Sequence, residues 1–131
     1  MKTSYNWLQT YFKEKLPTPE KVAEAFTFHA FEVESVEKVG NDTVLDIKVL
    51  PDRAHYALCH RGIAYELSAI LNLKLNDTPT SNVPITSDKE AKIKVEDSQA
   101  CPRYTARLTE NVTVGESPSW IKEKLESVGQ R

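Results

Sequence analysis

The first thing legible in the chain is where its hydrophobic period changes. From Tyr5 to Phe12 the large residues fall three and four apart: Tyr5, Leu8 and Phe12, with Trp7 and Tyr11 beside them. That spacing puts them on one helical stripe, and Thr3 or Ser4 supplies a cap. Thr18 then stands as N-cap before Pro19, whose missing N–H costs nothing at the first helical position. A second helix is expected to about Ala30, burying Val22, Ala25, Phe26 and His29. Past Ala30 the period falls to two. Phe31 and Val33 alternate with Glu32 and Glu34, after which Val36 and Val39 take the other parity, predicting a strand with a bulge near Ser35. Gly40, Asn41 and Asp42 make a turn, and Leu45, Ile47 and Val49 form the core face of a returning strand.

Pro51 ends that strand, and a polar loop leads into a helix with Ile63, Leu67, Ile70 and Leu71 on its apolar side. Gly62 inside this helix costs about 1 kcal/mol relative to Ala, so a close helix crossing is expected there. Residues 76–90 are rich in Asn, Asp, Thr, Ser and Pro and read as a linker. Beyond it, Ile93 and Val95 alternate with lysines and Tyr104, Ala106 and Leu108 with polar residues, predicting two strands, the second extended by Val112 and Val114. A last helix is expected from Ser117 and Pro118, with Ile121, Leu125 and Val128 on one face and Gly129 as its stop.

The expected fold class is therefore α+β. A small helix-helix-hairpin-helix domain spans 1–75, a linker 76–90, and the start of a second α+β domain 91–131. So short a second piece rarely sustains its own core, so the chain reads as the front of a larger protein.

Composition narrows the classes. Hydrophobic residues make up 40% and charged residues 27%, the balance of a folding globular chain. A formal charge of -2 supplies no global field for nucleic acid, so any RNA contact is local. No apolar run is long enough to span a bilayer and no signal core opens the chain, which predicts a cytoplasmic protein with no membrane partner. Cys59 and Cys101 are read as free thiols, and the Asn-x-Thr triplets at Asn41, Asn76 and Asn111 as turn chemistry.

Candidate chemistry is sparse. His55, Cys59 and His60 cluster, but a structural zinc takes four ligands and a catalytic one three plus water, so a helix start with one thiol is the simpler reading. Cys59 with a histidine and Asp52 would draw a nucleophile, base and orienting acid, yet no glycine-rich turn accompanies them. No catalytic, cofactor-binding or metal-binding residue is assigned. Arg53, His55, His60 and Arg61 are the one locally basic stretch and the candidates for RNA or partner contact; a solvated face is the plainer meaning of such charges. Arg103 and Arg107 share the polar side of an expected strand, and the aromatics of the first helix are read as core rather than a base-stacking platform.

Three runs carry a resemblance. They are Met1 to Leu8 with His29 to Glu34; Thr43 to His55 with His60 to Leu67; and Cys101 to Arg107 continuing through Val114 to Trp120 and on to Arg131. In this order they resemble the front of bacterial phenylalanyl-tRNA synthetase beta subunits. The inserted oligonucleotide-binding domain of many members is missing, since Gly40, Asn41 and Asp42 close that gap. Pro51, Asp52 and Arg53 stand where the family usually has Pro-Asn-Arg, and Tyr65 where a basic residue is common. The resemblance implies an alpha-subunit partner that uses ATP and magnesium to charge tRNA-Phe, within an alpha-beta heterotetramer. It also implies an editing module whose residues lie beyond Arg131. This segment would then be scaffold and docking surface, using no cofactor. A free-standing RNA-binding or adaptor module is the alternative.

Overall fold

A computed structural model describes residues 1–76 and 89–130. The chain groups into two units, Met1–Thr78 together with Ser117–Arg131, and Pro79–Glu116. The expected linker 76–90 lies largely outside the described residues.

The first unit is α+β. Its strands are β1 (Lys2–Ser4), β2 (Glu32–Val39) and β3 (Asp42–Lys48), and its helices α1 (Tyr5–Gln9), α2 (Pro19–His29), α3 (Ala54–Ala57), α4 (His60–Leu71) and α5 (Ser119–Ser127). The strands make an antiparallel sheet in the order β1-β3-β2. The hairpin forms where the parity change predicts it. Val33 pairs with Ile47 but Ser35 with Asp46, so Glu34 is the extra residue of a bulge. Gly40 closes the turn at φ +59, a conformation that costs glycine little.

The pattern of two helices, hairpin and helix is incomplete in two places. β1 adds a third strand ahead of α1, with Thr3 opposite Leu45, and its Thr3 and Ser4 are buried. α3 adds a turn of helix before α4. Gly62 is explained by that turn and not by a helix crossing: a Cβ there would lie 1.8 Å from the Tyr56 carbonyl oxygen and 2.9 Å from the Ala57 Cα.

The core sits between the inner sheet face and the helices. Leu8, Phe12, Leu16, Val22, Phe26, Phe31, Leu45, Ile47, Ile63 and Leu67 form one buried cluster, with Val33 and Val49 packed at its margin. α2 turns Ala23 inward, leaving Ala25 half-buried and His29 exposed, because Val22 and Phe26 fix the buried stripe one position away. α1 ends at Gln9, whose side-chain Oε1 accepts the Leu16 N–H at 2.8 Å. Phe12 then bridges to Leu75, and Asn76 donates to the Tyr11 carbonyl at 2.7 Å, which ties the end of the α4 segment to the start of the chain.

In the second unit, residues 89–116 contain neither helix nor strand. The strands expected through Ile93 to Val95 and Tyr104 to Leu108 are not formed. Alternation alone does not make a strand: stability comes from cross-strand pairs over a buried face. Here Tyr104 is 62% and Val114 99% exposed. α5 does form, one residue later than its cap signal placed it, with Pro118 as N-cap and Gly129 at φ +76 after its end.

Candidate functional site

The polar loop after β3 and the first turn of α4 hold all four candidate contact residues, and the fold gives each a different task. Arg53 precedes α3, and its guanidinium lies 3.4 Å from the Glu66 carboxylate and 5.5 Å over the Phe31 ring. The Tyr56 hydroxyl donates to the other Glu66 oxygen, and that bond raises the tyrosine pKa. Arg53 is thus half-buried and binds the loop to α4, and it also lines a cavity of about 70 Å³ with Phe31, Lys48, Leu50 and Asp52.

His60 is buried at 6% exposure. Its Nε2 accepts the Ser4 N–H at 3.0 Å and its ring stacks on Trp7, centroids 3.8 Å apart and planes 17° from parallel. Burial pushes its pKa down to about 4, with nearby Asp42 opposing and Lys124 reinforcing the shift. It is a neutral latch between α4 and the β1–α1 junction.

The junction has a second fastening in Asp42. Its carboxylate accepts the Asn6 N–H at 3.0 Å, the Thr43 N–H at 2.7 Å and the Ser4 hydroxyl, while Ser4 Oγ accepts the Trp7 N–H at 3.0 Å as N-cap of α1. Among the described residues every buried side-chain nitrogen and oxygen has a hydrogen-bond partner. Polar groups in the interior are therefore spent on holding elements together.

His55 and Arg61 remain outside. His55 is exposed and meets Tyr56 edge-on at 4.9 Å. Arg61 donates to the Tyr65 hydroxyl at 3.1 Å, its guanidinium carbon 5.6 Å from that ring centroid. Arg61, Tyr65 and Ala69 fall on one exposed stripe of α4, and Leu58 just ahead of the helix is 59% exposed against 50% for Tyr65. The outward face of α4 thus mixes a cation, a phenol and an aliphatic side chain, a composition suited to a partner surface.

Cys59 caps α4, its sulfur accepting the Gly62 N–H at 3.4 Å. Among the described residues no group of three or more His, Cys, Asp and Glu side chains is placed to hold a metal. Arg103 and Arg107 lie exposed in residues 89–116. Trp7, read from sequence as core, is only half-buried and lines a groove of about 560 Å³ with Asn6, Asp42 and Lys124. Its position one residue off the Leu8 and Phe12 stripe was the available signal.

No protein-family model matches the chain, and no solved structure matches it. Curated relatives do. The chain is 34% identical over 137 residues to the phenylalanine–tRNA ligase beta subunit of Rhodopirellula baltica, an alignment covering 98% of this chain and 19% of that protein. It is 39% identical over 100 residues to the beta subunit of Thermotoga maritima, covering 76% and 13%, and 36% over 94 residues to that of Bacillus subtilis, covering 70% and 11%. It therefore spans a fifth or less of the length of each of these relatives.

Proposed function

Since the chain is by sequence a relative of phenylalanine–tRNA ligase beta subunits along most of its length, we propose that it serves as a scaffold and docking segment of such a subunit. In this reading the assembled enzyme joins phenylalanine to tRNA-Phe using ATP and magnesium. The segment supplies a folded platform and a contact surface to that assembly and takes no part in the chemistry. The alpha subunit is its partner and the cytoplasm its compartment.

The observation that carries the reading is the match itself, which takes in 70% to 98% of this chain but only 11% to 19% of each relative. The internal geometry supports it. The buried His60 is locked between Ser4 and Trp7, and Arg53 is committed to Glu66 and Phe31. What faces outward is Leu58, Arg61 and Tyr65, with no helix among the described residues long and apolar enough to cross a membrane. Loops and outward helix faces carry a disproportionate share of contact groups.

The test is made in the complete subunit, co-expressed with the alpha subunit. Removal of residues 1–75 is expected to reduce recovery of the assembled enzyme, and the surface pair Leu58→Asp with Tyr65→Ala to weaken assembly while leaving the fold intact by circular dichroism. Normal assembly and normal charging of tRNA-Phe after the deletion would overturn the docking role. Charging or deacylation of tRNA by the 131-residue chain alone would overturn the non-catalytic one.

A further inference from the structure

The corner where α3 meets α4 carries two arginines, and only one of them has its charge met. Arg53 faces the Glu66 carboxylate. Arg61, in the first turn of α4, makes no ion pair among the described residues. It is held in place all the same. Its guanidinium donates to the Tyr65 hydroxyl at 3.1 Å and lies 5.6 Å from the centre of that ring. One of the five N–H donors of the fork is used in this way, and the side chain is exposed. A guanidinium already parked on a ring has less rotamer freedom to lose when a partner arrives, which suits it to be an anchor.

The surroundings decide what the anchor meets. Leu58 is brought to this corner because Gly62 lets the Tyr56–Ala57 backbone lie against α4. Leu58 and Tyr65 are both exposed, and Ala69 continues the stripe one turn beyond Tyr65. Tyr11 borders it: burial raises the pKa of its phenol, and the nearby Arg61 charge works against that rise. One cation among phenols and aliphatic groups is the make-up of a protein hot spot, where Arg and Tyr are enriched. A nucleic-acid track is built otherwise. Phosphates are held by several cations at once, and affinity grows with the number neutralised. The stripe of Arg61, Tyr65 and Ala69 carries a single charge, on a chain whose formal charge is -2.

We infer that this corner receives an acidic protein segment, with an Asp or Glu carboxylate seated on the Arg61 fork and apolar side chains against Leu58 and Tyr65. The inference rests on the docking role proposed above, so the occupant is a carboxylate-bearing surface of the alpha subunit. A carboxylate matches a guanidinium through two parallel N–H bonds, which fixes orientation as well as adding energy. The apolar neighbours exclude water around the pair and strengthen it. Arg61 thus sets the register of docking, while Leu58 and Tyr65 supply the contact area.

The experiment uses the complete subunit, titrated with the alpha subunit and then, as the assembled enzyme, with tRNA-Phe. Arg61→Glu is expected to weaken association with the alpha subunit at least about tenfold, and Arg61→Lys, which keeps the charge but loses the fork, by roughly threefold. Raising the salt concentration is expected to weaken association of the parent more than that of Arg61→Gln, since the variant has no charge there to screen. Circular dichroism and tRNA-Phe binding by the assembled enzyme are expected to stay the same. If the reversed charge disturbs the fold, Arg61→Lys and Arg61→Gln carry the test. Association of the Arg61 variants as tight as that of the parent, or equal salt dependence in the parent and Arg61→Gln, would overturn the carboxylate partner; the docking role survives that result if removal of residues 1–75 still prevents assembly. Normal assembly after the removal would overturn both. Unchanged association with weaker tRNA-Phe binding by Arg61→Glu would assign the corner to nucleic acid and overturn the inference.

Discussion

Replacing His60 by Gln separates the two things the histidine does. In the folded chain its Nε2 accepts the Ser4 N–H, and its pKa is pushed from 6.5 down to about 4 by burial against Trp7. Protonation would set a second N–H against the Ser4 donor and enclose a charge, so the fold holds the ring neutral. The unfolded chain imposes no such constraint. As pH falls below about 6.5 the unfolded ring takes up a proton that the folded ring refuses, and stability drops until the folded pKa is reached. The contribution is thus complete above the unfolded value and is lost as pH falls towards about 4. At about pH 5 the unfolded ring is almost fully protonated and the folded ring about one-tenth so, which amounts to about 2 kcal/mol lost relative to about pH 7.5. For a domain of this size that is a fall in Tm of roughly 10 °C. Gln offers an acceptor in place of Nε2 but does not titrate. His60→Gln is therefore expected to lower stability at neutral pH through imperfect stacking on Trp7, and to flatten the pH dependence by about 2 kcal/mol over that interval. Urea unfolding at the two pH values, with the His60 ring followed by NMR, measures both. A ring that titrates near 6.5 in the folded protein, or a variant with the pH slope of the parent, would refute the latch.

Three further outcomes follow from contacts of similar clarity. Gly62→Ala drives a Cβ to 1.8 Å from the Tyr56 carbonyl oxygen and is expected to cost about 3 kcal/mol in urea unfolding, because the atoms it meets are backbone and cannot swing aside as a side chain would. Gly115→Ala, with nothing within 4 Å of the added carbon, is the control and should stay within about 0.5 kcal/mol of the parent. Asp42→Ala strips acceptors from Asn6 N–H, Thr43 N–H and the Ser4 hydroxyl at once. A loss of about 2 kcal/mol is expected, since part-exposed N–H groups regain water, and Asp42→Asn should recover part of it. Phe26→Ala empties a fully buried site beside Phe31, ring centroids 6.0 Å apart, and should cost about 3–5 kcal/mol, read as a shift in the chemical denaturation midpoint.

The bulged hairpin was legible because its two signals are local. A side-chain period of two fixes which face is buried, so a change of parity between Val33 and Val36 leaves one residue to be absorbed, and Glu34 is that residue. α2 was legible for the same reason, its proline and apolar spacing lying within a single turn or two. β1 was not. Three residues carry no period, and Lys2, Thr3 and Ser4 become a strand only because β3 offers them a partner. The basic stretch shows the limit for sites. Sequence placed Arg53, His55, His60 and Arg61 together, but a turn of helix between them sends Arg53 to Glu66, His60 to Ser4 and Trp7, and leaves His55 and Arg61 outside. The alternation from Ile93 to Val114 failed as a strand signal because no neighbouring strand among the described residues buries one of its faces.

The sequence by itself therefore determined the α+β class, the order of helices and hairpin in the first unit, and the kinship with phenylalanine–tRNA ligase beta subunits, since all three are written in short-range patterns and residue order. Only the tertiary structure decided that Gly62 makes room for the Tyr56–Ala57 backbone, that His60 is a neutral latch, that Asp42 gathers three donors, and that Lys124 meets Trp7. Each of these joins residues far apart in the chain or on opposite sides of a turn. Their energies depend on distance and burial, and a linear order of side chains holds neither until the chain has closed on itself.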